Sequence, residues 1–218
     1  MAEIYIVSTP IGNRRDITLR ALEIFTKLDY LLCEDTRKTK QLLDFYQIKP
    51  VPYLVSFYEP VEEQKIPQVI AWLKAGKSVG LVTNAGTPLI SDPGFKLVRE
   101  CVKENISVVP LPGASALLAA LVVSGLPTDK FTFLGFLPKK AGKKEKLLKE
   151  AKYTTIAYES PYRIIKTLEL LQKLMSEKQV VICRELTKKF EEVLRGKPEE
   201  LLEKMRDRKI KGEIVLMF

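Results

Sequence analysis

Three short segments of the chain place acidic and basic side chains close together: EDTRKT (34–39), YESPYR (158–163) and RELTK (184–188). The sequence contains no histidine, which excludes a Ser-His-Asp triad, a histidine general base and a histidine-bound metal. Any proton transfer must therefore use a carboxylate, a lysine or a tyrosine, unless the protein mainly positions a reactive cofactor. Structural ion pairing is the alternative interpretation of these clusters.

Four loops in the first half combine glycine, proline and small hydroxyl residues: STPIGN (8–13), EDTRKT, TNAGTPLISDPG (83–94) and PLPGASA (110–116). Each follows an apolar run, and ligands of open parallel sheets bind beyond the carboxyl ends of the strands. Gly12, Gly86 and Gly113 would let the backbone approach a ligand closely, although a single glycine of this kind is more often a turn residue.

The chain lacks both G-x-G-x-x-G and G-x-x-x-x-G-K-[ST], so neither dinucleotide nor P-loop phosphate binding is indicated. Prolines in three of the loops remove backbone donors and stiffen the chain. The loops therefore favour a ligand with a planar base, polar groups and a positive centre over a polyphosphate. S-adenosyl-L-methionine fits that description.

Apolar runs of the first half alternate with helical patterns. The runs cover 3–8, 30–34, 53–57, 78–82 and 106–111, and they are continuous rather than alternating. This pattern predicts an α/β fold with a mostly parallel sheet that is covered on both faces. Asp16 is the predicted N-cap of the first helix.

Glycine and proline in SGLPTDK (124–130) interrupt the pattern and predict a domain boundary, which gives domains 1–124 and 125–218. Strands are predicted at 131–136, 154–159, 179–186, 190–196 and 212–218. Two of them are separated by only a short connection, so the second domain is predicted to contain a mixed sheet.

The chain carries 36 Lys and Arg against 27 Asp and Glu, a net charge of +9 that suggests an anionic partner such as nucleic acid. The longest apolar stretch (114–126) is shorter than a membrane span, and the N-terminus does not resemble a signal peptide. We therefore expect a cytoplasmic protein without membrane contact. Cys33, Cys101 and Cys183 lack zinc-ligand spacing and are predicted to be buried thiols, so no metal site is expected.

Seven segments occur in a characteristic order: YIVSTPIGN, LLCEDTRKT, LVTNAGTPLISDPG, VVPLPGASA, GFLPKK, YESPYR and RELTKKFEEVLRG. Together they resemble the cytidine 2′-O-methyltransferases of small-subunit ribosomal RNA within the tetrapyrrole methylase superfamily. The resemblance runs from Ile4 to Leu216. Gly86-Thr87-Pro88 stands where the ring-methylating relatives usually carry Gly-Asp-Pro, which favours RNA as the substrate.

The resemblance implies a homodimer of two-domain α/β chains, with S-adenosyl-L-methionine in the cleft between the domains. The implied cofactor-binding residues are Pro10, Gly86, Thr87, Pro88, Ile90, Ser115 and Ala116 in the first half, and Ala157, Tyr158, Leu186 and Glu213 in the second. The implied reaction is 2′-O-methylation of a cytidine in 16S rRNA of the small ribosomal subunit.

Methyl transfer to a ribose hydroxyl requires alignment and removal of a proton. The candidate catalytic residues are Glu159, Glu185 and Lys188. The candidate RNA-binding residues are Arg37, Arg163 and Arg184, together with Lys139, Lys140, Lys143 and Lys144 of the lysine-rich segment 139–152. That segment is equally well interpreted as a solvated helix face.

Two other functions fit parts of the sequence. A methylase of a tetrapyrrole precursor would also tolerate the positive charge, because such rings carry many carboxylates. A non-enzymatic RNA-binding assembly factor could retain the fold without the chemistry, in which case it would not bind the cofactor.

Overall fold

The computed structural model describes residues 3–218, which form a first compact unit ending at Ser115 and a second unit, Ala116–Phe218. The strands of the first unit are β1 (Glu3–Val7), β2 (Tyr30–Cys33), β3 (Tyr53–Ser56), β4 (Val79–Val82) and β5 (Ser107–Leu111). Its helices are α1 (Leu19–Phe25), α2 (Thr36–Phe45), α3 (Glu59–Lys74) and α4 (Phe95–Lys103).

The five strands of the first unit form one parallel sheet in the order β3-β2-β4-β1-β5. Every residue of β4 is buried, as expected for an inner strand of a sheet covered on both faces. All five strands end at the same edge because they are parallel. The loops that follow β1, β2, β4 and β5 are therefore brought together at that edge, as the sequence predicted.

The first helix does not start where the sequence suggested. The backbone amide of Ala21 donates to the side chain of Thr18 at 3.2 Å, so Thr18 is the N-cap of α1. Asp16 instead ends a short 3-10 turn, Arg14–Asp16, that is capped by Asn13. Two cap-forming residues lie close together here, and the one three residues before the buried Ala21 forms the cap.

A buried carboxylate fixes the start of α4. Glu62 accepts hydrogen bonds from the backbone amides of Gly94 and Lys96, both at 3.1 Å, and from Leu97 at 3.4 Å. A negative charge at a helix N-terminus is stabilised by the unsatisfied amides and the helix dipole. Glu62 thereby anchors the far end of the loop 83–94.

The strands of the second unit are β6 (Phe131–Phe136), β7 (Thr154–Glu159), β8 (Val180–Arg184), β9 (Glu192–Gly196) and β10 (Ile214–Met217). Its helices are α5 (Ala116–Ser124), α6 (Ala141–Lys149), α7 (Ile164–Met175) and α8 (Pro198–Met205). The strand order is β6-β7-β10-β8-β9, with β6 parallel to β7 and all other pairs antiparallel. This confirms the predicted mixed sheet.

Helix α5 belongs to the second unit, since it contacts β7, β8, β9 and β10. The boundary that the sequence suggested, between residues 124 and 125, lies at the other end of this helix. Gly and Pro in 124–130 mark the end of α5 and the turn into β6.

The three cysteines are buried and free, as predicted. Burial is the main cause that raises the pKa of each thiol to about 11, so the thiols stay protonated and unreactive near neutral pH. None of the helices within residues 3–218 combines the length and the apolar character that a transmembrane span needs.

Candidate active site

Thr87 connects the loops that follow three strands of the first unit. Its hydroxyl donates to the carbonyl oxygen of Ala114 at 3.1 Å and lies 3.0 Å from the hydroxyl of Ser8. A threonine hydroxyl has one proton, so with that proton on Ala114 the Ser8 hydroxyl is the donor to Thr87. The predicted cofactor residue Thr87 thus holds the ends of β1, β4 and β5 in one arrangement.

Gly86 is paired with the loop after β1 through its backbone. Gly86 and Thr9 exchange two amide–carbonyl hydrogen bonds of 2.9 Å each. The φ angle of Gly86 is +83°, a conformation that side chains disfavour, and an added Cβ would lie 3.4 Å from Ile11. Close approach of the two loops therefore depends on the glycine.

The other predicted cofactor residues of the first unit lie beside this junction. Pro10 follows the paired Thr9 and is buried, as is Pro88, whereas Ile90 is 38% exposed. Ser115 follows Ala114 and is half-buried, while the half-buried Ala116 is the first residue of α5. The structure thus brings Pro10, Gly86, Thr87 and Pro88 to one edge.

A second polar group lies at the same edge, beyond β2 and β4. Glu34 Oε2 accepts from the hydroxyl of Thr83 at 2.8 Å and from the amide of Asn84 at 3.0 Å. Asp92 lies near the same Thr83 hydroxyl, whose single proton the structure places on Glu34.

Asp92 can exchange a proton close to neutral pH. Burial is the main effect on the pKa of Asp92 and raises it. The Thr83 hydroxyl lowers this pKa, whereas the charge of Glu34 raises it further. The resulting pKa is about 6. A general base works best when its pKa lies near the operating pH. Sequence reasoning missed Asp92 because ISDPG also fits a turn that precedes a helix.

Asn84 adds a polar atom that lacks a protein partner. Its Oδ1 atom is buried and accepts no hydrogen bond within residues 3–218. Buried acceptors are normally satisfied, so this oxygen is suited to receive an N–H or O–H group of a bound molecule.

The second unit places the predicted base Glu159 in the interior. Its side chain is 0% exposed, and its two oxygens accept four hydrogen bonds. Oε1 accepts from Arg163 at 2.6 Å and from the Ser160 amide at 2.7 Å, while Oε2 accepts from Lys144 at 2.8 Å and from Thr167 at 2.7 Å. All four acceptor positions of the carboxylate are occupied, which argues against Glu159 as general base and for a structural role.

The same network corrects the role of Lys144. Its side chain is 7% exposed, and its ammonium group donates to Glu159 and to Thr167, so it does not reach RNA. Lys139, Lys140 and Lys143 are exposed and remain candidates. Helix α6 therefore has both a buried face and a solvated face.

The three predicted RNA-binding arginines differ in availability. Arg37 is exposed and forms a surface pair with Asp35, which lowers the pKa of that carboxyl to about 2. Arg163 is held by Glu159 and the Leu137 carbonyl. Arg184 is largely buried against Glu192 at 3.0 Å. Arg37 is the most exposed of the three, with 86% of its side chain open to solvent.

Glu185, Lys188 and Glu213 form one ionic group. Lys188 Nζ lies 2.9 Å from Glu185 Oε1 and 2.8 Å from Glu213 Oε2. Burial alone would raise the pKa of Glu185, but the Glu213 amide and Lys188 outweigh it and lower that pKa. Burial likewise lowers the pKa of Lys188, and its bonds to Glu213 and Glu185 outweigh this and raise it. Neither pKa is shifted toward neutral pH, which argues against both residues as general base.

The remaining predicted cofactor residues of the second unit lie near the carboxyl ends of β7 and β8. Tyr158 packs its ring edge-on against Phe133 and Phe136 at centroid distances of 5.1 and 5.3 Å. The side chain of Ala157 is fully buried in the core, and Leu186 is also buried. Any contact of Ala157 with a ligand would therefore use its backbone.

The sequence is similar to known methyltransferases over most of its length. The family described as tetrapyrrole (corrin/porphyrin) methylases matches residues 3–202. A relative from Hydrogenobaculum sp. named ribosomal RNA small subunit methyltransferase I is 47% identical over 99% of this chain and 95% of its own. A relative of the same name from Thermotoga maritima is 42% identical over 100% of this chain and 98% of its own.

Solved structures share the fold at low sequence identity. A cobalt precorrin-4 methyltransferase superposes with a TM-score of 0.71 at 19% identity, covering 99% of this chain and 94% of the other. A uroporphyrin-III C-methyltransferase from Thermus thermophilus, complexed with S-adenosylhomocysteine, has a TM-score of 0.65 at 16% identity, covering 99% and 96%. These matches establish the architecture of the chain.

Proposed function

The chain belongs to the tetrapyrrole (corrin/porphyrin) methylase family, and from that premise we propose that it methylates 16S rRNA of the small ribosomal subunit with S-adenosyl-L-methionine. The observation that carries the proposal is the full-length similarity, at 42–47% identity, to proteins named ribosomal RNA small subunit methyltransferase I. The junction at Thr87 supplies a matching ligand-binding edge in the first unit.

The residues at this edge fit the proposed cofactor. The cofactor supplies a methyl group on a positively charged sulfur, which needs alignment rather than acid catalysis. Gly86 and the Ser8–Thr87–Ala114 junction offer a stiff backbone with few donors, which suits a nucleoside better than a polyphosphate. The unpartnered Asn84 Oδ1 is a ready acceptor for an N–H or O–H group.

At the finer level, we propose that the acceptor is the 2′-hydroxyl of a cytidine ribose. In this reaction the methyl carbon bonds to the ribose oxygen as its bond to sulfur breaks, and the hydroxyl proton passes to a protein base. Asp92 meets the pKa requirement for that base, since its value of about 6 leaves it ionised at neutral pH yet still basic. Thr83 lies beside this carboxyl group and donates its hydroxyl proton to Glu34, whose charge helps to keep the pKa of Asp92 raised.

We further propose that the protein acts in the cytoplasm as a homodimer, on the strength of its family resemblance. The net charge of +9 supports an RNA substrate. Methylation of a tetrapyrrole precursor has weaker support, because the ring-methylating structures share only 16–19% identity with this chain.

Two measurements test the proposal. Calorimetry with S-adenosylhomocysteine should show binding, and absence of binding would leave only the assembly-factor alternative. Small subunits from a strain that lacks the enzyme should then gain one methyl group on incubation with the protein and the cofactor. Mass spectrometry of digested 16S rRNA identifies the product. A base-methylated nucleotide would contradict the 2′-hydroxyl assignment, and an unmodified RNA would contradict the function.

A further inference from the structure

A groove in the second unit carries positive charge that no part of the proposed active site uses. It has a volume of about 440 Å³, and its lining includes Lys130, Lys152, Tyr153 and Lys178. These residues precede β6, β7 and β8, and Phe218 follows β10 at the same place. The groove therefore lies at one edge of the sheet, whereas Glu159, Arg184 and Glu213 lie at the other.

Within residues 3–218, none of the three lysines of the groove forms an ion pair with a carboxylate, although one acidic residue, Asp129, belongs to the lining. Other lysines of the second unit do form ion pairs with carboxylates. Lys149 lies 2.7 Å from Glu145, and Lys197 lies 2.5 Å from Glu177. Unneutralised charge concentrated in a concave surface favours an anionic ligand.

Aromatic rings lie among the lysines. Lys130 Nζ is 5.8 Å from the ring centroid of Tyr153, and Lys178 Nζ is 5.6 Å from that of Phe218. The Tyr153 side chain is 49% exposed, so part of its ring is open to a partner, while Phe218 is buried and forms the floor. Lysines interleaved with an exposed ring are suited to single-stranded nucleic acid, because the ammonium groups bind phosphates and the ring stacks on a base.

The groove also has a rigid wall and floor. The Thr154 hydroxyl donates to the Pro127 carbonyl at 2.7 Å, which ties the first residue of β7 to the segment before β6. Phe218 and Thr155 exchange two backbone hydrogen bonds of 2.9 and 3.1 Å. The lysines are thus mounted on the ends of ordered strands rather than on a mobile loop, which reduces the entropy lost on binding.

We propose that this groove is a docking site for a single-stranded segment of the RNA substrate, with Lys130, Lys152 and Lys178 on its phosphates and Tyr153 stacked on a base. The inference rests on the proposed function, since it assumes an RNA substrate. It adds a contact at the edge of the second sheet remote from Glu159 and Arg184, and such a contact orders a large substrate before the chemical step.

The test compares Lys130→Ala/Lys152→Ala/Lys178→Ala with a control of equal charge change, Lys166→Ala/Lys173→Ala/Lys204→Ala, on exposed positions of α7 and α8. The probe is a fluorescently labelled, unstructured RNA of about 12 nucleotides, titrated by anisotropy over a range of KCl concentrations. Loss of three phosphate contacts should reduce the slope of log affinity against log salt by about 2, because each contact to a single strand contributes about 0.7. An unchanged slope, or an equal change in the control, overturns the docking site.

Tyr153 is tested separately. Tyr153→Ala should weaken RNA binding about 10-fold, whereas Tyr153→Phe keeps the ring and should bind as the unmodified protein does. Equal affinities of the two variants would rule out stacking.

A kinetic measurement separates this inference from the proposed function. The triple groove variant should keep its affinity for S-adenosylhomocysteine and its kcat, and its KM for small subunits should rise about 10-fold. If the unmodified protein methylates subunits and the groove variant has the same KM, the docking site alone is refuted. If the unmodified protein methylates no RNA, the proposed function fails and the inference falls with it.

Discussion

Lys144 Nζ lies 2.8 Å from Glu159 Oε2, and both side chains are buried. Thr167 bridges the same two groups, with its hydroxyl 2.7 Å from each. The pair joins α6 to β7 and α7 inside the second unit. Two residues that the sequence suggested for RNA binding and catalysis therefore hold the fold together.

Glu159→Gln should destabilise the second unit rather than abolish methyl transfer. Removing one charge of a buried pair leaves the other uncompensated, which costs about 3 kcal/mol. Denaturant unfolding measures the loss. Glu145→Gln, which breaks the surface pair with Lys149, is the matched control and should cost far less, because solvent screens that pair. Normal stability of Glu159→Gln combined with lost turnover would restore Glu159 as the base.

Thr87→Val should weaken cofactor binding about 10-fold. The substitution preserves shape but leaves the Ala114 carbonyl and the Ser8 hydroxyl without their shared partner, a cost of about 1–3 kcal/mol. Calorimetry with S-adenosylhomocysteine measures it. Thr26→Val is the control, because it removes a comparable hydrogen bond to the Glu23 carbonyl at the end of α1. The affinity of this variant for S-adenosylhomocysteine should be unchanged. Equal affinities for the two variants would separate Thr87 from the cofactor site.

Gly86→Ala should lower both stability and cofactor affinity. Its φ of +83° disfavours any side chain by about 1 kcal/mol, and the new methyl group would lie in contact with Ile11 at 3.4 Å. Gly76→Ala is the control, because Gly76 has a φ of +77° with no atom near the added Cβ. Both variants should show similar backbone strain in thermal unfolding, but only Gly86→Ala should lose affinity for S-adenosylhomocysteine.

Asp92→Asn should remove the acidic limb of the pH–rate profile. With a pKa of about 6, the unmodified protein should gain kcat/KM as pH rises through 6 and then level off. The variant should lose about 100-fold or more in kcat with little change in cofactor affinity. Asp207→Asn, an exposed change in the second unit, should retain the profile. An acidic limb that persists in Asp92→Asn would assign it to another group.

Asp92→Asn should raise the stability of the protein at neutral pH, although it lowers kcat. The folded-state pKa of about 6 exceeds the ordinary 3.8, so the folded protein holds this proton more tightly than the unfolded chain does. The stability of the unmodified protein therefore falls as pH rises from about 4 to about 6 and stays lower above that range. Allowing for solvent screening, Asp92→Asn should gain about 1 kcal/mol at pH 7 and nothing below pH 4. Denaturant unfolding at both pH values checks it.

The sequence by itself determined the order and type of the elements. Continuous apolar runs alternating with helical patterns require a covered parallel sheet, and parallel strands place their following loops at one edge. Gly86, Thr87 and Pro88 could be assigned to that edge for this reason.

Only the tertiary structure decided which charged groups are buried. Lys143 and Lys144 are neighbours in one lysine-rich run, yet the first is solvated and the second is buried, because Lys144 lies on the same helix face as Leu148. The spacing of four residues was visible in the sequence, but the carboxylate that makes burial of Lys144 tolerable comes from β7. The proximity of Asp92 to Thr83 and Glu34 likewise depends on how the loop 83–94 folds, which residue types alone do not specify.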